Sequence, residues 1–236
     1  MSQGTSGATS APCACGRGAF VTLEGIDGSG KSTQAALLGR LLELAGREVV
    51  SLREPGGTEI SEKVRSILLD PRNAAMADEC ELLLYEASRA QLVRQVVEPA
   101  LARGAVVLCD RYYDSTFAYQ HGGRGLDEGL VRRCNELGSC GLAPDLTLLL
   151  DIDPVLGFER ATRGGTDRLE GEGLSFQQRT REAYLRLAAE EPARVRVVDA
   201  RGGEREVLGR LVAELAGVMP ELAGQGADAL PAKGGE

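Results

Sequence analysis

The 236-residue sequence contains no tryptophan, and aromatic residues make up only 4% of it. This composition disfavours single-stranded nucleic-acid modules, which stack successive bases on rows of aromatic side chains. The formal net charge of −8 gives no general attraction to nucleic acids or anionic membranes. We therefore expect no nucleic-acid or membrane partner, and we expect any anionic ligand to be held by a local cluster of positive groups.

Long apolar runs are also absent, since none approaches the roughly 20 residues that a membrane-spanning helix requires. The N-terminus lacks the positive stretch followed by an apolar run that marks a signal peptide. We therefore expect a cytoplasmic protein whose six cysteines are reduced thiols. Cys13 and Cys15 lack a second pair or a histidine at a zinc-like spacing, which favours an inert tail over a metal site.

Lysine is scarce: the chain has three lysines among its 27 basic residues. A lysine at a chemically demanding position is therefore informative. The length fits one large α/β domain. Residues 1–18 and 219–236 show no apolar periodicity, so we expect two mobile tails around a single domain over 19–218.

Short aliphatic runs alternate with helical patterns across that domain. The patterns predict strands at 19–24, 48–52, 105–109, 146–150 and 195–198. They predict helices at 30–45, 60–69, 78–103, 127–140 and 175–190, one beginning at Pro154 and a final one. This alternation implies an α/β fold, with a five-stranded parallel sheet covered by helices on both faces. We expect Ser175 to cap its helix and His121 to be a surface loop residue without a partner.

The segment 25–32 fits the phosphate-binding pattern G-x-x-x-x-G-K-[ST] between a predicted strand and a predicted helix. In such a loop backbone N–H groups converge on phosphate oxygens, the lysine reaches the β- and γ-phosphates, and the hydroxyl ligates Mg²⁺. The pattern predicts a nucleoside triphosphate site. Its ATP-binding residues are Gly25, Ile26, Asp27, Gly28, Ser29, Gly30, Lys31, Ser32 and Thr33.

Asp110 ends an apolar strand, which is the Walker B pattern, and should emerge beside the phosphate loop. We therefore predict Ser32 and Asp110 as the magnesium ligands. No N-K-x-D guanine-reading motif occurs in the sequence, which argues against a GTPase. These residues alone leave open a kinase for another nucleotide or small acceptor, or a nucleotide-binding regulatory switch.

The sequence resembles bacterial thymidylate kinases in seven segments that occur in the same order and spacing. They are EGIDGSGKST (24–33), REPGGT (53–58), ASRAQ (87–91), DRYYDS (110–115), AYQ (118–120), PDLT (144–147) and DRLE (167–170). The resemblance implies a nucleoside monophosphate kinase fold of the P-loop NTPase type with a lid. It also implies Mg²⁺-dependent transfer of the ATP γ-phosphoryl group to dTMP, in a homodimer.

The resemblance also assigns an acceptor site. It places Arg65 and Arg111 on the acceptor phosphate, Tyr85 against the thymine ring and Arg89 as a donor to the thymine O4. Cytosine carries an amine at that position, so Arg89 would oppose its donors and reject dCMP. The full dTMP set is Asp27, Glu54, Pro55, Arg65, Tyr85, Arg89, Arg111, Ser115, Thr116, Tyr119 and Gln120, with Asp27 and Tyr119 beside the sugar and Thr116 and Gln120 near the base.

The family divides by where its transition-state arginine is carried. Gly28 stands where one type has an arginine, so the resemblance implies the type with a basic lid, here about 160–173. Its implied catalytic residues are Lys31, Arg111, Arg160, Arg163 and Asp27. We expect an arginine introduced at position 28 to compensate partly for loss of the lid arginines.

Overall fold

The computed structural model describes residues 18–161, 172–219 and 222. Its centre is a sheet of five parallel strands, as predicted. The strands are β1 (Phe20–Glu24), β2 (Val49–Arg53), β3 (Val106–Asp110), β4 (Leu146–Asp151) and β5 (Val195–Asp199), arranged in the order β2-β3-β1-β4-β5. Since all five run the same way, the loops that follow β1 and β3 meet at one edge of the sheet.

Helices connect the strands and cover the sheet. They are α1 (Lys31–Leu44), α2 (Glu59–Leu69), α3 (Asp78–Leu92), α4 (Glu98–Ala102), α5 (Tyr113–Thr116), α6 (Glu128–Gly138), α7 (Pro154–Ala161), α8 (Leu174–Glu190) and α9 (Glu204–Leu215). A π-helical turn at Val93–Val97 joins α3 to α4, and a second at Phe117–Gly123 follows α5. Pro99 sits in the first turn of α4, directly after the first of these π-helical turns.

Alternate residues of the central strands pack on opposite faces of the sheet. Val21 of β1 belongs to a buried cluster with Leu41 of α1 and Leu208 of α9. Its neighbour Phe20 belongs to another cluster, with Leu92 and residues of α4. Both faces of β1 are thus covered, which explains why the central strands read as continuous apolar runs.

The structure differs from the sequence predictions in several places. The helical segment Tyr113–Gly123 was not predicted. The helix α8 begins after Gly173, which has a φ of +86°, and Ser175 lies inside it rather than capping it. Met219 and Leu222, beyond the predicted boundary at 218, are buried in the core.

The prediction for His121 was wrong. It lies in the π-helical turn after α5, where Nδ1 is 2.8 Å from the carbonyl oxygen of Leu126 and Nε2 is 3.2 Å from Arg186. Nearly all of both tails and lid residues 162–171, including Arg163, lie outside the described residues. Within the described ranges, no helix combines the length and apolarity that a membrane crossing requires.

Candidate active site

The phosphate loop connects β1 to α1 at the carboxyl edge of the sheet. Gly28 adopts a φ of +76°, and a Cβ added there would overlap the carbonyl oxygen of Gly157 in α7. Only glycine satisfies both constraints, because L-residues disfavour positive φ and no space exists for a side chain. An arginine at position 28 therefore does not fit this loop, which contradicts the predicted compensation for lost lid arginines.

Lys31 is held by the loop itself. Its Nζ donates to the carbonyl oxygens of Gly25 and Ile26 at 3.0 and 2.9 Å. Burial and the nearby Arg111 lower the pKa of Lys31 to about 8. A phosphate oxygen brought to this ammonium would favour its charged form, so the lysine is a cation whose charge is reinforced by an anionic ligand.

Ser32 and Asp110 lie side by side, as predicted. Since Asp110 pairs in register with Leu23 of β1, the end of β3 stands next to the start of the phosphate loop. The Oγ of Ser32 donates to Oδ2 of Asp110 at 2.6 Å. The pair offers a hydroxyl and a carboxylate, which are hard oxygen donors of the kind Mg²⁺ prefers. This chemistry fits the predicted metal.

Arg111 follows Asp110 in a strained conformation, with a φ of +71°. Such a conformation costs about 1–2 kcal/mol in a non-glycine residue. It is held by a hydrogen bond from the Arg111 N–H to Leu23. The guanidinium is thereby directed under the phosphate loop, where it donates to Asp27, to the Gly25 carbonyl oxygen at 3.2 Å and to the Tyr119 hydroxyl at 3.0 Å.

The Asp27 carboxylate of the phosphate loop is hydrogen-bonded by side chains from three other segments of the chain. Besides Arg111, its carboxylate accepts hydrogen bonds from the Tyr119 hydroxyl and from Nε2 of Gln177 in α8, each at 3.0 Å. Burial raises the pKa of Asp27, but Arg111 and Lys31 outweigh burial and bring it below its ordinary value. Gln177 was missed by the sequence reasoning, because it stands 150 residues from Asp27 in the chain.

A buried carboxylate, Glu24, accepts a hydrogen bond from Ser115 and attracts the charge of Arg111. Glu24, at the end of β1, accepts from the backbone N–H of Tyr112, the Ser115 hydroxyl and the Tyr184 hydroxyl at 2.6–2.7 Å. Burial, followed by repulsion from Asp114, raises the pKa of Glu24 to about 7. It too was missed, since the strand pattern gives no sign of an inward-facing carboxylate.

The far end of the site is built around Arg89, which is only 1% exposed. Its guanidinium donates to Glu54 at 2.8 Å, to Glu86 at 2.5 Å and to the Thr116 hydroxyl at 2.8 Å. Burial raises the pKa of Glu54 to about 7 despite the attraction of Arg89. Arg89 is thus fixed in one orientation before any ligand is bound. Glu86 was not predicted.

One cavity of about 400 Å³ joins the two ends. It is lined by most of the predicted site residues, namely Asp27, Gly28, Gly30, Lys31, Ser32, Thr33, Glu54, Pro55, Arg65, Tyr85, Arg89, Asp110, Arg111, Ser115, Thr116, Tyr119 and Gln120. Gly25, Ile26 and Ser29 lie outside its lining, as does Arg160, which is exposed at the end of α7. The cavity also includes four residues that were not predicted, Arg53, Leu69, Tyr112 and Ala161.

A parallel five-stranded sheet, a phosphate loop after its central strand and a polar cavity beside that loop define a P-loop nucleoside monophosphate kinase fold. A crystal structure of thymidylate kinase from Ehrlichia chaffeensis superposes with a TM-score of 0.69 at 33% identity, covering 85% of this chain and 99% of that one. The thymidylate kinase family profile matches residues 23–210. The chain belongs to the thymidylate kinase family.

Individual relatives agree with this assignment. The thymidylate kinase of Pelobacter propionicus is 49% identical over 205 residues, covering 84% of this chain and 94% of the relative. That of Solidesulfovibrio magneticus is 52% identical over 189 residues, covering 77% and 90%. That of Deinococcus radiodurans is 51% identical over 192 residues, covering 81% and 93%. The comparisons give no support to a kinase for another acceptor or to a regulatory switch.

Proposed function

We propose that this protein transfers the γ-phosphoryl group of ATP to dTMP, forming dTDP and ADP for dTTP synthesis. The family assignment supports the reaction. The residue roles rest on one continuous cavity, which has Lys31 of the phosphate loop at one end and the oriented Arg89 at the other. It provides room for a nucleotide acceptor whose phosphate faces the donor.

At the donor end, the backbone of residues 25–33 surrounds the ATP phosphates, and Lys31 reaches the β- and γ-phosphates. Ser32 and Asp110 would hold Mg²⁺, which neutralises charge on the phosphate oxygens when bound. Among the described residues, no group of three or more histidine, cysteine or carboxylate side chains forms a closed metal site.

At the acceptor end, Arg111 and Arg65 bind the dTMP phosphate and offset its repulsion from the donor. Asp27 and Tyr119 face the sugar. Glu54, Pro55 and Ser115 complete the walls of this part of the cavity. Tyr85 packs on the thymine ring, with Arg89, Thr116 and Gln120 around its polar edge.

In the reaction, an oxygen of the dTMP phosphate attacks the γ-phosphorus of ATP, and the bond from that phosphorus to the bridging oxygen of ADP breaks. The attacking phosphate is already anionic, so no strong base is required. Lys31 and Arg111 stabilise the charge that develops on the transferred group. Arg160 and Arg163 are our candidates for a further cation; Arg163 lies outside the described residues.

We also propose that the protein is a cytoplasmic homodimer. Four large apolar side chains are exposed on three helices that pack side by side, α2, α3 and α6. They are Ile60, Ile67, Leu83 and Leu137, with exposures of 45–79%. Exposed apolar surface of this extent is typical of protein interfaces.

A coupled ADP-release assay with a panel of nucleoside monophosphates tests the proposal. We expect turnover to be greatest with dTMP, lower with dUMP for lack of the 5-methyl group, and minimal with dCMP. Lys31→Ala should remove most turnover without unfolding the protein. Lys63→Ala, at an exposed lysine of α2, is the control and should leave turnover unchanged. Faster use of dCMP than dTMP, or near-normal turnover by Lys31→Ala, would refute the assigned roles.

A further inference from the structure

One face of β1 packs against the segment that follows β3. Since strand side chains alternate, Phe20 and Glu24, four residues apart, lie on this same face. Phe20 packs edge-on against the ring of Tyr112, with 4.9 Å between the ring centroids, and Glu24 is completely buried at the end of the strand. A carboxylate is costly to bury unless hydrogen-bond donors surround it, so the donors around Glu24 show what it holds in place.

The last two residues of β1 bind two successive peptide groups. The Arg111 N–H donates to the carbonyl oxygen of Leu23 at 3.0 Å, and the next N–H, that of Tyr112, donates to Oε1 of Glu24 at 2.7 Å. Between these two donors lies the backbone of Arg111, whose φ of +71° is unfavourable for a non-glycine residue. Such a conformation persists only where the surrounding contacts hold it, and the Glu24 carboxylate makes one of those contacts.

Glu24 also acts on the guanidinium of Arg111 through Ser115. The Ser115 hydroxyl donates to Oε2 of Glu24 at 2.6 Å. A hydroxyl has one proton and two lone pairs, so its proton points to the carboxylate and a lone pair remains for Arg111. Nη1 of Arg111 donates to the Ser115 oxygen at 3.2 Å. The carboxylate also attracts the guanidinium directly, because the two groups carry opposite charges.

We infer that Glu24 is a positioning residue for Arg111, holding its strained turn and the Ser115 hydroxyl so that the guanidinium reaches the acceptor phosphate. Glu24 is absent from the cavity lining, whereas Arg111 and Ser115 belong to it, so Glu24 acts on the acceptor through these two residues. The inference rests on the proposed reaction, in which Arg111 binds the dTMP phosphate. Loss of Glu24 should therefore weaken recognition of the phosphate and leave recognition of the base and sugar intact.

The main test is Glu24→Leu, which keeps most of the side-chain volume but cannot accept a hydrogen bond. The Ser115 and Tyr184 hydroxyls lie 2.8 Å apart and can still pair with each other, so the variant mainly deprives the Tyr112 N–H of its acceptor and removes the charge. We expect kcat/KM for dTMP to fall at least about tenfold. Thymidine has the same base and sugar but no phosphate, and its affinity in a calorimetric titration should change by less than about twofold.

Glu24→Gln is the conservative variant and decides the matter if Glu24→Leu does not fold. Its amide oxygen can still accept from Tyr112, but the charge that attracts Arg111 is lost. We expect kcat/KM for dTMP to fall only about threefold, again without a change in thymidine affinity. The matched control is Asp145→Leu, because the Asp145 carboxylate accepts the backbone N–H of Phe20 at 2.7 Å at the opposite end of β1. The control should lower stability and leave kcat/KM unchanged.

A double-mutant cycle on dTMP affinity separates positioning from a merely structural role. Arg111→Met removes the guanidinium and should itself weaken dTMP binding. Because Glu24 acts through Arg111, adding Glu24→Leu to Arg111→Met should have little further effect. Additive losses, equal losses of dTMP and thymidine affinity, or wild-type kinetics in the Glu24 variants that fold would overturn the inference. Failure of the proposed function is distinguishable, because the wild-type protein would then release no ADP with dTMP.

Discussion

Replacing Gln177 by leucine would test how the carboxylate of the phosphate loop is held. Gln177 is 2% exposed in α8, and its Nε2 donates to Asp27. Its other amide atom, Oε1, is buried and has no hydrogen-bond partner in the part of the chain that the structure describes. The side chain therefore makes one favourable contact with a charged group and leaves one acceptor unsatisfied.

The two effects of Gln177→Leu on stability should nearly cancel. A hydrogen bond to a charged group contributes about 1.5–3 kcal/mol, and a buried unsatisfied polar atom costs about 1–3 kcal/mol. We therefore expect the free energy of unfolding at pH 7 to change by less than about 1 kcal/mol. Asp27 keeps Arg111 and Tyr119 but loses its third partner. We expect kcat/KM for dTMP to fall about tenfold, or about 1.4 kcal/mol.

The pH at which acid unfolding begins should shift in a definite direction in Gln177→Leu. The pKa of Asp27 is lowered in the folded protein, so its contribution to stability is present above its unfolded pKa and is lost as the pH falls through the folded value. Without Gln177 the folded pKa rises, and less of this contribution remains. Acid unfolding of the variant should therefore begin at a higher pH.

Steady-state kinetics and chemical denaturation on the same preparations would measure these effects. Gln178→Leu, at the neighbouring exposed position of α8, is the matched control and should leave kinetics unchanged. Unaltered kinetics in Gln177→Leu would show that Asp27 needs no support from α8. A loss of stability beyond about 1.5 kcal/mol would refute the compensation argument.

Three further outcomes are expected. Leu137→Glu, at a side chain 79% exposed, should convert the proposed dimer to monomers without unfolding it; an unchanged mass in light scattering would contradict the α2–α3–α6 interface. Gly28→Ala should destabilise the protein by more than about 1 kcal/mol and raise KM for ATP, because a side chain meets positive φ and the Gly157 carbonyl; wild-type values would refute this. Burial raises the pKa of Glu24 and Glu54 from 4.5 to about 7, so the folded protein retains their protons longer than the unfolded chain. The denaturation midpoint should therefore fall as the pH rises from about 4.5 to about 7, and it should fall less steeply in Glu24→Gln. An equally steep fall in the variant and the wild-type protein would contradict the raised pKa of Glu24.

Features that depend on local chemistry were predictable from the sequence. The phosphate loop is a run of neighbours whose glycines and Lys31 act through backbone geometry that the segment itself sets. The alternation of apolar runs and helical patterns likewise predicted the five-stranded parallel sheet. The same alternation missed the helix at Tyr113–Gly123, because that segment buries polar residues as well as apolar ones and so has no amphipathic period.

The tertiary structure alone decided which side chains act together. Gln177 reaches Asp27 across 150 residues, and Glu81 reaches Gln120 across 39. The identity of such partners depends on how helices pack on the sheet, which no local pattern encodes. The sequence shows a glycine at position 28 but not why a side chain is excluded there. The tertiary structure supplies the reason, because the backbone of Gly157 fills the space that a side chain would occupy. Local pattern determined the elements and the phosphate site, whereas long-range packing determined the orientation of each polar group within it.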